Sequence, residues 1–91
     1  MVKEHVTEDV GLAAYCLTVG EKFSRAPFIQ GYRVKFAFED TPEFQKHCSD
    51  YFSGKTSVDA QTVIQTTRRL RNLILEIRTN TSKEVYLHDD K

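Results

Sequence analysis

"RVKFAFEDTPEF", residues 33–44, changes its period halfway through. Val34, Phe36 and Phe38 alternate with Arg33, Lys35, Ala37 and Glu39, the period-two pattern of a strand with one buried face. The alternation stops at Glu39-Asp40. Thr41 is a good N-cap, and Pro42 falls at the first helical position, where its missing N–H costs nothing. Glu43 lands in the first turn, where a negative charge is favoured. The acidic corner therefore reads as a strand handing over to a helix, not as a general acid/base pair. On that helix Phe44, Cys48, Tyr51 and Phe52 share a face, Lys46, Ser49 and Asp50 point to water, and Ser53-Gly54 ends the run.

Working outward, Phe23 to Phe28 is a weaker strand, and Gln30-Gly31 marks the turn between it and the strand above. Pro27 cannot donate to a ladder, so this strand belongs at an edge. A lone two-stranded hairpin is marginal in water and must rest its aromatic face on helices. Upstream, "VGLAAYCLTV" (10–19) reads as a helix with Thr7 as cap, Glu8 and Asp9 at its positive end, and Gly20 closing it. Val10, Ala13, Ala14 and Leu17 line one side of it, and Leu12, Tyr15, Cys16 and Val19 the other. A helix apolar on both sides needs cover on both sides, more than a three-helix monomer easily supplies.

Downstream, "SVDAQTVIQTTRRLRNLILEIR" (57–78) reads as a long helix, with Ser57 as cap and Asp59 in the first turn. Val63, Thr67, Leu70, Leu73, Ile74 and Ile77 form a core stripe. Ile64, Arg68, Arg71, Leu75 and Arg78 form a second stripe beside it, mixing aliphatics with guanidinium groups. Residues 1–6 read as a lead-in and 80–91 as a flexible tail, in which "EVYLH" (84–88) is the one segment able to add a strand. The expected architecture is a single α+β domain over 1–91, ordered from about 7 to 79, in the order helix, β-hairpin, helix, long helix, and paired as a homodimer.

Four phrases occur in a telling order: "GLAAYCLTVGEKF" (11–23), "YRVKFAFEDTPEF" (32–44), "DYFSGKTSVDAQTV" (50–63) and "RRLRNLI" (68–74). Over about residues 10–75 the chain resembles a family of small prokaryotic and phage domains of unknown function. The resemblance implies an apolar helix ending in Gly, a hairpin ending in Phe-Glu-Asp, an aromatic pair before Gly and a Val-Asp start to the last helix. It implies no activity, and it brings with it a phage or mobile-element origin. The chain departs from the pattern at Ala26-Pro27, which lengthens the hairpin, and in the polar tail past Arg78.

The chemistry is sparse. Thirteen basic and thirteen acidic residues cancel, so no global field calls for nucleic acid or an anionic membrane. No stretch approaches the ~20 apolar residues that span a bilayer, and two distant cysteines suit a reducing cytoplasm. His47 and Cys48 are adjacent, so on a helix they project about 100° apart rather than toward one another. His5, His47 and His88 are scattered, and no Gly-rich phosphate loop occurs. The expectation is a protein that is not an enzyme and takes no metal or cofactor.

Two binding classes remain. Arg68, Arg69, Arg71 and Arg78 face a single acid, Glu76, over residues 61–80, a local balance of plus three. With Lys22, Arg25, Arg33 and Lys35 on the hairpin, and Phe23, Phe28 and Tyr32 for stacking, they outline a nucleic-acid surface. Protein association is the favoured class, because apolar residues ringed by arginine are a common interface composition. Its residues are Ile64, Arg68, Arg71, Leu75 and Arg78, in an interaction module, such as a phage accessory protein, acting on a host or self protein surface. A small-ligand pocket between two subunits is a further alternative.

Overall fold

The computed structural model describes residues 3–89, with side chains described through residue 79. The elements are β1 (Glu4–Thr7), α1 (Val10–Thr18), β2 (Phe23–Gln30), β3 (Arg33–Glu39), α2 (Pro42–Ser53) and α3 (Ala60–Asp89). β1, β3 and β2 form an antiparallel sheet in that order, one face of which packs on the helices. The fold class is α+β, as read from the sequence.

The sheet has one strand more than expected. Residues 4–6, read as part of a lead-in, and Thr7, read as a helix cap, form β1 and pair with β3 from Glu4↔Glu39 to Thr7↔Phe36. The ladder is continued by the Asp40 N–H, which donates to the Lys3 carbonyl at 2.8 Å. Directly opposed residues share a face, so His5 and Thr7 stand on the inner side with Phe38 and Phe36. The His5 ring lies 5.2 Å from that of Phe44. The inner positions of "EHVT" are thus polar, while its one aliphatic, Val6, faces outward and is 41% exposed. A strand so composed has no apolar alternation to announce it.

β2 lies at an edge, as Pro27 requires. Its register against β3 shifts between Phe23 and Arg25 and again between Arg25 and Phe28, so β2 carries irregularities around Ala26-Pro27. The turn is Gly31-Tyr32, with only Gly31 at positive φ (67°), the arrangement of a two-residue hairpin loop with glycine first.

The core is an aromatic stack closed by helices. Phe36, Phe38 and Phe44 are fully buried, and Phe23 lies 5.7 Å from Phe36 and 5.2 Å from Phe38 between ring centroids. α1 crosses this stack and packs chiefly on α3. Its residues Leu12, Ala13, Ala14, Tyr15 and Cys16 are buried in succession, more than a full helical turn, with Val10, Leu17 and Val19 packed beside them. The two-sided apolarity of α1 is therefore satisfied by its own chain and does not require a second copy. Val34, Phe36 and Phe38 of β3, Phe44 and Cys48 of α2 and Leu70 of α3 share one core with these residues, so the expected hairpin and helices suffice to cover both sides of α1.

Gly11 marks the closest approach in this packing. A Cβ there would fall 2.5 Å from Tyr51 Oη and 3.6 Å from its Cζ. Alanine in a helix is ordinarily better than glycine by about 0.5–1 kcal/mol. We expect the opposite here: Gly11→Ala lowers the melting temperature, and the same change made in a Tyr51→Phe background raises it, because the obstructing hydroxyl is gone. Thermal denaturation of the four variants of this cycle checks it, and equal effects in both backgrounds would refute the contact.

The helix ends follow local chemistry, with two changes of cap. Asp9 rather than Thr7 caps α1, accepting from the Leu12 N–H at 3.1 Å, while Thr7 Oγ1 accepts from the Asp9 N–H. Asp59 rather than Ser57 caps α3, accepting from the Thr62 N–H and Oγ1 at 3.2 and 2.8 Å, and these bonds hold its carboxyl below the ordinary aspartate value. α2 begins at Thr41-Pro42 and closes on Gly54 at φ 74°, as expected. Asp40 accepts from Gln45 Nε2 at 2.6 Å, which ties the strand end to the helix. Phe52 does not join the buried face of α2; it is 69% exposed and lies edge-on to Tyr51.

α3 continues to Asp89, through the segment read as a loose tail with a candidate strand at 84–88. No Gly or Pro interrupts residues 60–89, and each added residue extends an existing ladder by one bond. Among the described residues no helix is long and apolar enough to cross a membrane.

Candidate interaction surface on the last helix

α3 holds the domain with Leu70, which is buried, and with Ile74 and Ile77 packed at the core's margin. Beside that row run Ile64, Arg68, Arg71, Leu75 and Arg78, all exposed. Ile64 is 51% exposed and Leu75 62%, so neither aliphatic belongs to the core of the chain. At 1.5 Å per residue the line is about 21 Å long. The structure thus brings the five expected partner-binding residues into one continuous row.

The row ends against the hairpin. The Arg78 guanidinium donates through Nη2 to the Tyr32 carbonyl at 3.2 Å, which fixes the turn beside the helix. Tyr32 is 95% exposed, an aromatic offered to solvent at the end of the arginine row. Sequence reading placed Tyr32 only among stacking aromatics of the hairpin. Its position beside Arg78 depends on a contact 46 residues away in the chain, for which the sequence carries no local signal.

The candidate nucleic-acid residues divide between two layers. Arg25, Arg33 and Lys35 lie on the outer face of the sheet, away from the helices, because they alternate with the inward Val34 and Phe36 or pair opposite Ala37. There they meet carboxylates: Arg25 with Glu4 at 3.4 Å, Arg33 with Glu8 at 3.3 Å, Lys35 with Glu8 at 2.7 Å. The Lys35 hydrogen bond is the main reason the Glu8 carboxyl is held below its usual value. Arg25 also lies 4.1 Å over the Phe28 ring. Two carboxylates thus meet three cations and offset most of the charge of this face. Lys22 stands apart in the α1–β2 loop. Among the described residues no carboxylate lies within ion-pair distance of Arg68, Arg69 or Arg71, so the helix retains its positive charge.

The titratable groups of the interior are quiet. Cys16 and Cys48 are both buried and unlinked. Burial pushes the Cys16 thiol up to about 12 and raises Cys48 as well, which keeps the reactive thiolate scarce at neutral pH. Burial likewise raises Tyr15 and Tyr51. His47 lies 3.8 Å from Glu21 and 3.9 Å from Glu43. Among the described residues no three His, Cys, Asp or Glu side chains gather as a metal site would need; the side chain of His88 lies outside them.

This chain belongs to the family described as Domain of unknown function (DUF5659), whose model matches residues 2–76. The match runs from β1 into α3 and takes in Ile64, Arg68, Arg71 and Leu75, stopping short of Arg78. No curated protein and no solved structure matches the chain.

Proposed function

We propose that this protein is a non-enzymatic interaction module that meets a protein partner through the exposed row of α3, with Tyr32 at its end. The observation that supports this most directly is the pair of aliphatics, Ile64 and Leu75, left in water on the same line as Arg68 and Arg71, which among the described residues have no carboxylate within ion-pair distance. Arginine and tyrosine are enriched where interface energy concentrates. The resemblance to small prokaryotic and phage domains fits an accessory role of this kind, in which one surface is occupied and no bond is made or broken.

Affinity capture from the natural host, quantified for the wild type, for Arg71→Glu/Leu75→Asp and for the outer-face control Arg33→Ala, tests the reading. Prey bound through α3 should fall about 30-fold or more in the double variant, the scale of a hot spot of ~2 kcal/mol, and persist in the control. Far-ultraviolet circular dichroism should not change, since both substituted residues are exposed. Prey retained at wild-type levels by the double variant would count against the surface.

A second reading, binding of nucleic acid, draws on the same unneutralised Arg68, Arg69 and Arg71. Phosphates reward arginine but not the neighbouring Ile64 and Leu75, and the hairpin cations are already occupied. A gel-shift titration at two salt concentrations separates the readings, because phosphate contacts make affinity fall steeply with salt.

A further inference from the structure

The row on α3 is spaced 4, 3, 4, 3: Ile64, Arg68, Arg71, Leu75, Arg78. An average step of about 3.5 residues is the repeat of a coiled-coil seam, in which alternate positions pack into a facing helix. A general amphipathic face is wider, taking in a third apolar position per heptad, whereas a coiled-coil seam is confined to two. Here the line stays narrow and exposed while the adjacent row, with Leu70, Ile74 and Ile77, packs on the domain. We infer, building on the module reading above, that α3 presents half of a two-helix coiled coil whose other half is an acidic amphipathic helix of a different protein.

The charges choose the occupant. Three of the five seam positions are arginine, and no carboxylate shares the seam. Pairing of two copies in antiparallel register would oppose Arg71 with Arg71 and place the other arginines along the same closed line, where like charges repel. Charged seam residues act against self-association in this way while admitting a complementary partner. The flanking positions leave the choice to the seam. Gln65 and Asn72 border it on one side, and Thr67 and Ile74 on the other, none of them charged. A partner helix with Glu or Asp opposite Arg68, Arg71 and Arg78, and aliphatics opposite Ile64 and Leu75, satisfies every position. Tyr32 stands at the end where that helix would meet the hairpin turn.

A duplex or single-stranded nucleic acid would answer the arginines only. It would leave Ile64 and Leu75 uncovered, so a protein helix accounts for more of the surface.

The probe is a fluorescein-labelled peptide of three heptads, with leucine at two seam positions and glutamate at three, made in both seam orders, and a matched set with lysine replacing glutamate. Anisotropy titrations on the full chain should show binding of a glutamate peptide at least about tenfold tighter than of its lysine counterpart, as desolvated charge pairs discriminate. Raising salt from about 50 to 200 mM should weaken it, since surface charge is screened. Leu75→Asp should weaken the glutamate peptide at least about tenfold, the scale of losing a buried anchor. Arg71→Glu should narrow the preference for glutamate over lysine, the seam charge falling from plus three to plus one. A glutamate peptide carrying lysine at the single position opposite residue 71 should then regain binding, a rescue that mere loss of folding could not produce. Equal binding of both peptide types, no binding of either, or indifference to Leu75→Asp would overturn the inference. Binding of a duplex or single-stranded oligonucleotide in place of the peptides, through Arg68 and Arg71, would also overturn it. If no peptide binds while host capture still loses prey in Arg71→Glu/Leu75→Asp, the module reading stands and only the coiled-coil geometry falls.

Discussion

Phe38→Ala is expected to cost about 3–5 kcal/mol, the range for removing a large aromatic from a well-packed core. Phe38 has no exposed surface, and its ring lies 5.2 Å from Phe23 and 5.3 Å from Phe44. It is opposed by His5 on β1 and by Phe23 on β2, so one side chain joins both edge strands to the helices. A domain of this size has roughly 5–14 kcal/mol of stability in all, so the variant would lose between about a fifth and all of it. Urea denaturation followed by circular dichroism measures it. Phe52→Ala is the contrast: that ring is 69% exposed, and its loss should change stability by no more than about 0.5 kcal/mol. Similar midpoints for the two variants would mean that the aromatic stack is not the seat of stability.

Removing residues 1–7 is expected to be nearly as damaging, although the composition of that segment suggests a dispensable lead-in. The deletion takes away β1, leaving β3 as an edge strand and the sheet as a two-stranded hairpin, which is marginal on its own. At roughly 1 kcal/mol per ladder hydrogen bond, the loss of four paired positions and of the Asp40–Lys3 bond puts the cost at several kcal/mol before any packing is counted. Uncovering Phe44, which His5 contacts, adds to it. The ion pair of Glu4 with Arg25 also goes, but an exposed pair contributes little. An unpaired β3 offers its backbone to other chains, so the truncated protein should melt lower and scatter light at concentrations where the full chain does not. A truncated chain with an unchanged melting temperature would show that β1 is a passive attachment.

Those two outcomes also mark how far local pattern carried. The joint at Thr41-Pro42 was legible because cap, proline and first-turn acid act within four residues of one another. Pro27 announced an edge strand because a missing donor has the same consequence in any sheet. The five-residue row on α3 was legible too, since helical spacing alone puts those side chains on one line. β1 was not, because its inner positions are His and Thr and its partners lie 29 to 35 residues away. The shift of cap from Thr7 to Asp9, and from Ser57 to Asp59, was a choice between neighbours of similar capping ability.

The sequence by itself determined the order and kind of the main elements, the core face of β3, the edge position of β2 and the arginine–aliphatic row on α3. Each of these follows from residues close enough in the chain to constrain one another through a single backbone geometry. Only the tertiary structure decided that a third strand completes the sheet, that α1 is enclosed by its own chain, and that Glu4 and Glu8 pair with Arg25, Arg33 and Lys35 while Arg68, Arg69 and Arg71 have no carboxylate within ion-pair distance among the described residues. Those are facts about which surfaces meet, and burial and charge pairing depend on distance in space rather than on spacing along the chain.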